Sequence, residues 1–242
     1  MIVQGCLNGA RANDYHDALP ITVEEIAVDG ARCCAAGAAE LHVHPRGPDG
    51  RESLASVDDA VRALRMACPG TLIGVSTGAW IEGDAARTHA QIAAWRVLPD
   101  HASVNLAEPD APAMMALLDH MGIRIEAGLA TVADAERFAT LPERSRVLRV
   151  LIEIEEQNTD DGDKVVAGIR RVLDHVDARR PILLHGVDAA VWYFVERARE
   201  WRWSTRIGLE DGYLRRDGSH AANNAELVRE AVTLYRSGEP GR

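Results

Sequence analysis

The chain has 242 residues, 47% of them hydrophobic and 26% charged, with a formal net charge of -10. That length supports a large buried core, and that charge argues against the broad basic surface that nucleic acid or an anionic membrane demands. No basic segment followed by a long apolar core opens the chain, and no apolar run approaches the ~20 residues of a membrane span; a cytoplasmic protein that binds neither nucleic acid nor membrane is expected.

In chain order, short β-rich runs alternate with longer amphipathic stretches. Strands are expected over 2–7 (IVQGCL), 39–44 (AELHVH), 72–77 (LIGVST) and 101–107 (HASVNLA). They continue over 124–130 (RIEAGLA), from 146 onward (containing RVLIEI), over 181–187 (PILLHGV) and over 204–210 (STRIGLE). The helical stretches include TVEEIAVDGARCCAAGA, SVDDAVRALRMAC, DAPAMMALLDHM, TVADAERFATL, KVVAGIRRVLDHV, DAAVWYFVERAREW and NNAELVREAVTLYR. Thr22 with Glu25, and Ser56 with Asp59, have the spacing of helix-capping pairs. Gly37, Pro69-Gly70 and Gly122 mark helix exits. The cysteines Cys6, Cys33, Cys34 and Cys68 lack CxxC spacing and are expected to be free thiols. With no linker or composition break, residues 1–242 are expected to form a single compact domain, a (β/α)8 TIM barrel. An open doubly wound sheet is the runner-up, but no GxGxxG or Walker loop supports it.

Chemistry in such a barrel sits at the C-terminal ends of the strands. Those ends carry Asn8 and Arg11; His42 and His44; Ser76 and Thr77; and Ser103, Asn105 and Glu108. Next come Glu126; Glu153 and Glu155; His185; and finally Arg206, Glu210 and Asp211. A polar group at the end of every apolar run points to an enzyme rather than a structural barrel.

His42 and His44 share one face of their strand, with Cα atoms roughly 7 Å apart, so both imidazoles can converge on one ion. Glu210 is the best third ligand, because the eighth strand must return beside the first two when a barrel closes. Two histidines and a glutamate leave coordination positions open for substrate. Asp211 could serve as a base, while Arg206 either holds a substrate carboxylate or orients Asp211. Arg206, Gly208 and Glu210 are expected to share a strand face, with Gly208 leaving room between the two charges.

CLNGAR, AGAAELHVHPRGPDGRESL, VSTGAW, ASVNLAE, IEAGL and IGLEDGYLRRDGSHAANNAELV together resemble the β-keto acid cleavage enzymes, often labelled 3-keto-5-aminohexanoate cleavage proteins. The resemblance implies a zinc-dependent (β/α)8 barrel, usually a homo-oligomer such as a dimer or tetramer. It implies condensation of a β-keto acid with acetyl-CoA through a metal-stabilised enolate, giving acetoacetate and a new acyl-CoA. His42, His44 and Glu210 would hold Zn2+ or another divalent transition metal. Asp211, paired with Arg206, would take the C2 proton. Ser76, Ser103 and Asn105 fall where the family lines its substrate pocket. Combined with the rim residues, the expected substrate contacts are Asn8, Arg11, Ser76, Thr77, Ser103 and Asn105.

Two departures from the family pattern bear on substrate. Arg11 stands where amine-handling members place an acid, so an amine-bearing keto acid is expected to be disfavoured. After the sixth strand the chain has the short acidic EIEEQNTDDGDKV instead of a longer glycine-rich loop. Glu153, Glu155, Glu156, Asp160, Asp161 and Asp163 would repel CoA phosphates unless they face away. The alternatives are therefore a CoA-independent metal-dependent lyase or hydrolase acting on a keto acid, and a catalytically degenerate keto-acid-binding barrel. An amidohydrolase fits less well, because strands five and six offer acids where that class needs histidines.

Overall fold

The computed structural model describes residues 1–176 and 180–237. Eight strands run β1 (Val3–Cys6), β2 (Glu40–Val43), β3 (Leu72–Ser76), β4 (His101–Asn105), β5 (Arg124–Leu129), β6 (Arg149–Ile154), β7 (Ile182–Gly186) and β8 (Thr205–Ile207). Between and after them come α1 (Val23–Ala36), α2 (Val57–Ala67), α3 (Ala85–Ala93), α4 (Ala111–His120), α5 (Val132–Thr140), α6 (Thr159–His175), α7 (Val191–Glu200) and α8 (Asn224–Arg236). The strands pair in parallel in the order β7-β6-β5-β4-β3-β2-β1-β8. The two ends meet at a parallel bridge between Leu183 and Ser204. There Ser204 N donates to Ile182 O and Leu184 N to Ser204 O, each at 3.0 Å. A (β/α)8 barrel results, as its alternating pattern foretold.

Local chemistry explains most boundaries. At α1 the Thr22 hydroxyl accepts from Glu25 N while Glu25 caps back, and Gly37 closes the helix in the left-handed region at φ 108°. Ser56 makes no such cap, because the one-turn 3-10 helix Leu54–Ser56 runs straight into α2 and leaves the hydroxyl no first-turn amide. RVLIEI forms β6 over 149–154, starting later than expected because residues 146–148 are spent on the turn that follows the one-turn 3-10 helix Pro142–Ser145. β8 is shorter than expected, and the chain turns at Gly208, whose carbonyl accepts from the amides of Asp211 (2.9 Å) and Gly212 (3.0 Å). Arg206, Gly208 and Glu210 therefore do not share a strand face.

Most of the barrel's inward-facing positions are polar. At the floor, Arg149 pairs with Glu126 (2.6 Å) and with Glu40, while His101 Nε2 lies 3.6 Å from Glu126. Glu126, expected at the rim, belongs to this buried floor, because it aligns with Arg149, the first residue of β6. Gly74 makes room for the layer, since a Cβ there would fall 2.2 Å from His101 Nε2. Leu41 of β2, with Ile26, Leu64, Phe138, Phe194 and Val228 of the helices, belongs to the apolar shell between sheet and helices. Cys6, Cys33 and Cys68 are buried free thiols and Cys34 is partly buried.

Gly208 is required for closure. A Cβ there would sit 1.8 Å from the Cys6 carbonyl oxygen and 2.7 Å from Asn224 Oδ1. Asn224 in turn donates to Leu7 O and Asp29, and accepts from Leu209 N. Gly208→Ala is expected to force β8 away from β1 at a cost of about 3 kcal/mol, lowering the melting temperature by roughly 6–12 °C in a thermal unfolding scan.

Candidate functional site

A pocket of about 480 Å3 opens at the C-terminal ends of the strands. His42 and His44 reach it from β2 and the residue after it, their ring centroids 5.2 Å apart. Glu210 arrives from the turn after β8, with Oε1 at 4.0 Å from His42 Nε2 and 3.6 Å from His44 Nε2. One ligand atom from each residue lies within 4.8 Å of the others, a spacing that could hold a metal ion. Glu210 Oε2 is buried without a hydrogen-bond partner. A nitrogen-rich His2Glu set with a free carboxylate oxygen suits zinc or a neighbouring transition metal and leaves positions open. Glu40, His101 and Glu126 meet the same spacing, but Arg149 already pairs with both carboxylates and takes the place of a cation.

Charge divides the two imidazoles. Burial holds His42 down to about 3, so the ring is neutral and ready to donate a lone pair. Burial also disfavours charge on His44, yet Glu210 and Glu52 outweigh it and raise that ring to about 9. Burial alone would raise the Glu210 carboxyl; Arg206 and, after it, His44 hold it well below its ordinary value.

Arg206 is the hub. Nη2 lies 3.0 Å from Glu153 and 2.9 Å from Glu210, and Nε lies 3.4 Å from Asp211. Asp211 Oδ1 is met by the charged contacts of Arg206 and His185, while among the described residues the buried Oδ2 has no partner and is free to take a proton from a ligand. Behind Asp211, His185 Nδ1 stands 3.1 Å from its carboxylate, while Nε2 donates to Glu153 at 3.0 Å. Burial would raise Glu153, but the His185 hydrogen bond and nearby charges hold it at about 2.

Ser76, Ser103 and Asn105 line the opposite wall. Arg11 also lines the pocket, but not as a bare cation. Its Nη2 pairs with Asp188 at 2.7 Å and its Nε donates to the Glu210 carbonyl at 2.9 Å. Two expected substrate contacts face elsewhere. Asn8 is fully buried, and its amide is spent on Pro20 O, His44 O and His44 N, so it fixes the end of β2 rather than meeting a ligand. Thr77 follows Ser76 and points to the other side of the strand, where its hydroxyl donates to Ser103 O and borders a separate cavity of about 190 Å3. Glu108 lies beside that cavity and accepts from Ala79 N at 3.0 Å.

Glu52, Trp80, Gln157 and Asp188 shape the site without having been picked out by sequence reasoning. Glu52, Trp80 and Gln157 sit in connecting segments, and Asp188 opens the one-turn 3-10 helix Asp188–Ala190. For Glu52 a signal existed: the GPDG turn reverses the chain just after the histidine pair.

An eight-stranded parallel barrel that gathers two imidazoles, a carboxylate and an Arg–Asp pair at one rim is a (β/α)8 protein with a metal-type site. The model of the beta-keto acid cleavage enzyme family matches residues 1–239, and the chain belongs to that family. It is 35% identical over 81 residues to the 3-keto-5-aminohexanoate cleavage enzyme of Fusobacterium nucleatum, a stretch covering 32% of this chain and 30% of that enzyme. A ternary complex of ObcA with a C4-CoA adduct and oxalate superposes with a TM-score of 0.73 at 18% identity, covering 91% of this chain and 64% of that one. The binary complex of ObcA with oxaloacetate gives 0.69 at 18% identity, covering 89% and 63%. The 3-dehydroquinate dehydratase of Geobacillus kaustophilus gives 0.62 at 11% identity, covering 99% and 92%. At these identities the structural likeness is one of fold, and the chain spans under two thirds of the ObcA length.

Arg206→Met would leave Glu153, Glu210 and Asp211 converging without their common cation. The variant is expected to lose about 3–5 kcal/mol in denaturant unfolding, and Glu153→Gln in the same chain to recover part of the loss.

Proposed function

We propose that the protein is a metal-dependent β-keto acid cleavage enzyme that condenses its keto acid with acetyl-CoA, giving acetoacetate and a new acyl-CoA. The observation that carries this reading is the His42–His44–Glu210 cluster within one pocket of the Arg206–Asp211 pair. A divalent ion on those three side chains would supply a Lewis acid for the keto and carboxylate oxygens of the substrate. Asp211 takes the C2 proton, its carboxylate held in place by Arg206 and His185. Ser76, Ser103 and Asn105 orient the keto acid from the facing wall. In the balanced reaction C2 bonds to the acetyl carbon as the acetyl C–S bond breaks, the released CoA thiolate bonds to the keto carbon as its bond to C2 breaks, and Asp211 returns the proton to C2. No protein nucleophile is needed; Cys6 is wholly buried, and burial, more than any neighbour, pushes its thiol far up.

Family membership supports the activity, and two observations shape its detail. The Arg11–Asp188 pair presents both signs at the pocket wall, which favours a polar neutral tail able to bond to either group over an amine facing Arg11. A second reading, CoA-independent cleavage of the same keto acid, is favoured by Glu153, Glu155 and Asp188 lining the pocket that an anionic cofactor would have to enter.

Metal analysis is expected to find one divalent ion per chain, lost in His42→Ala, His44→Ala and Glu210→Gln. Asp211→Asn should keep the ion yet lower kcat by roughly 10^2–10^4. An acetoacetate assay over keto acids with amine, neutral and carboxylate tails should show the neutral tail fastest and turnover absolutely dependent on acetyl-CoA. Turnover without acetyl-CoA would select the second reading, and fastest turnover of the amine would overturn the assignment of Arg11.

A further inference from the structure

The loop after the histidine pair is built to return one carboxylate to it. Gly47 N donates to Arg51 O (2.8 Å), Gly50 N to Gly47 O (2.9 Å) and Ser53 N to Pro45 O (2.8 Å), closing residues 45–53 into a tight hairpin. Gly50 occupies the left-handed region at φ 77°, and a Cβ there would meet Asn13 Nδ2 at 2.3 Å. Arg46 locks the hairpin to the first strand's loop through Gly9 O (2.9 Å), Arg11 O (2.7 Å) and Asn13 Oδ1 (2.6 Å). The hairpin ends with Glu52, and both of its carboxylate oxygens are engaged. Oε2 accepts from His44 Nδ1 at 2.7 Å, and Oε1 accepts from Trp80 Nε1 at 3.0 Å.

The second contact is unusual for its setting. Trp80 is 51% exposed at the pocket wall, so water is available to its indole N–H, yet that N–H is spent on Glu52. The indole lies nearly parallel to the His44 ring, at 6.5 Å between centroids and 21° between planes. Gly78 leaves space for it, since a Cβ there would fall 2.3 Å from the indole. His42 has no comparable support, and its Nδ1 is buried without a partner.

We propose that Glu52 is the positioning residue of the metal-binding imidazole His44, and that Trp80 acts on the metal site only by holding Glu52. This rests on the metal reading of the pocket. A carboxylate on Nδ1 keeps that proton in place, so Nε2, beside Glu210, is the nitrogen left for a cation to claim, and it makes that nitrogen more basic toward one. Trp80 thereby joins the pocket wall to the metal site through a chain of two hydrogen bonds, Trp80 to Glu52 and His44 to Glu52.

Zinc affinity, measured by chelator competition on the full chain, tests the chain of contacts. Glu52→Ala is expected to weaken binding about 10–100-fold, and Glu52→Gln less, because its amide oxygen still accepts the imidazole N–H. Trp80→Phe keeps the stacked ring but loses the donor, and should weaken binding a few-fold; combined with Glu52→Ala it should add nothing further. Thermal melts of the metal-free variants separate folding from affinity, and Glu52→Gln carries the test if Glu52→Ala fails to fold. Wild-type affinity in a folded Glu52 variant overturns the proposal, as does a Trp80→Phe penalty that persists in the Glu52→Ala background. If His42→Ala and Glu210→Gln lose zinc while Glu52→Ala keeps it, only this proposal falls. If the unaltered chain binds no zinc, the metal reading falls and takes the proposal with it.

Discussion

The site depends on one buried guanidinium. Arg206 is 4% exposed and stands within 3.4 Å of three carboxylates, those of Glu153, Glu210 and Asp211. Without a cation among them, three carboxylates gathered in a buried pocket would repel one another. With it, each keeps a different remaining freedom. Glu210 turns Oε1 toward the imidazoles and keeps Oε2 without a partner, Asp211 keeps Oδ2 without a partner, and Glu153 faces the pocket while bonded to His185. One side chain thus lets two carboxylates, Glu210 and Asp211, sit next to each other in sequence without repelling each other out of position.

Arg206 can play this part because of how β8 ends. Continued as a strand, 210 and 211 would point to opposite faces. The turn at Gly208 breaks that alternation and brings both Glu210 and Asp211 to the pocket. The turn is possible only because Gly208 has no side chain where the backbone meets the Cys6 carbonyl. Asn224 then fastens the turn, through Leu209, to β1 and to Asp29 of α1. A backbone contact between the first and last strands therefore sets the electrostatics at the rim.

Side chains set by strand periodicity were legible in the sequence; side chains set by loops were not. His42 and His44 follow from alternation, and Ser76, Ser103 and Asn105 from their places at strand ends. Thr77 was misplaced because a position at a strand end does not say which face the residue takes, and the register resolves that only once the strands are paired. Glu126 was misplaced along the barrel axis for a related reason: RIEAGL does not reveal how far along the strand the floor lies. Asn8 has the chemistry of a ligand contact but is consumed by backbone groups of its neighbour strand. Glu52, Trp80 and Asp188 come from connections between strands and helices whose paths depend on long-range anchors such as Arg46 and Arg11. Glu210 and Asp211 were found for a partly mistaken reason, since the turn and not the strand delivers them.

The barrel repeats the same electrostatic device at both ends of its axis, with opposite consequences. At the floor Arg149 is 5% exposed and shares Glu40 and Glu126, and burial keeps His101 below its ordinary value and so neutral. That layer is closed: its carboxylates already have their cation, and it is buried beneath the pocket. At the rim Arg206 satisfies its carboxylates only in part, because Oε2 of Glu210 and Oδ2 of Asp211 remain without a partner. The difference lies in where the acids come from. At the floor they sit on regular strands, whose register brings Glu126 level with Arg149. At the rim two of the three sit in a turn, where backbone geometry holds them near the guanidinium without letting every oxygen reach it. Unpartnered polar atoms occur in both layers, Glu126 Oε2 and His101 Nδ1 among them at the floor, but only those at the rim border a cavity that a ligand can enter, and that difference in access separates the rim from the floor.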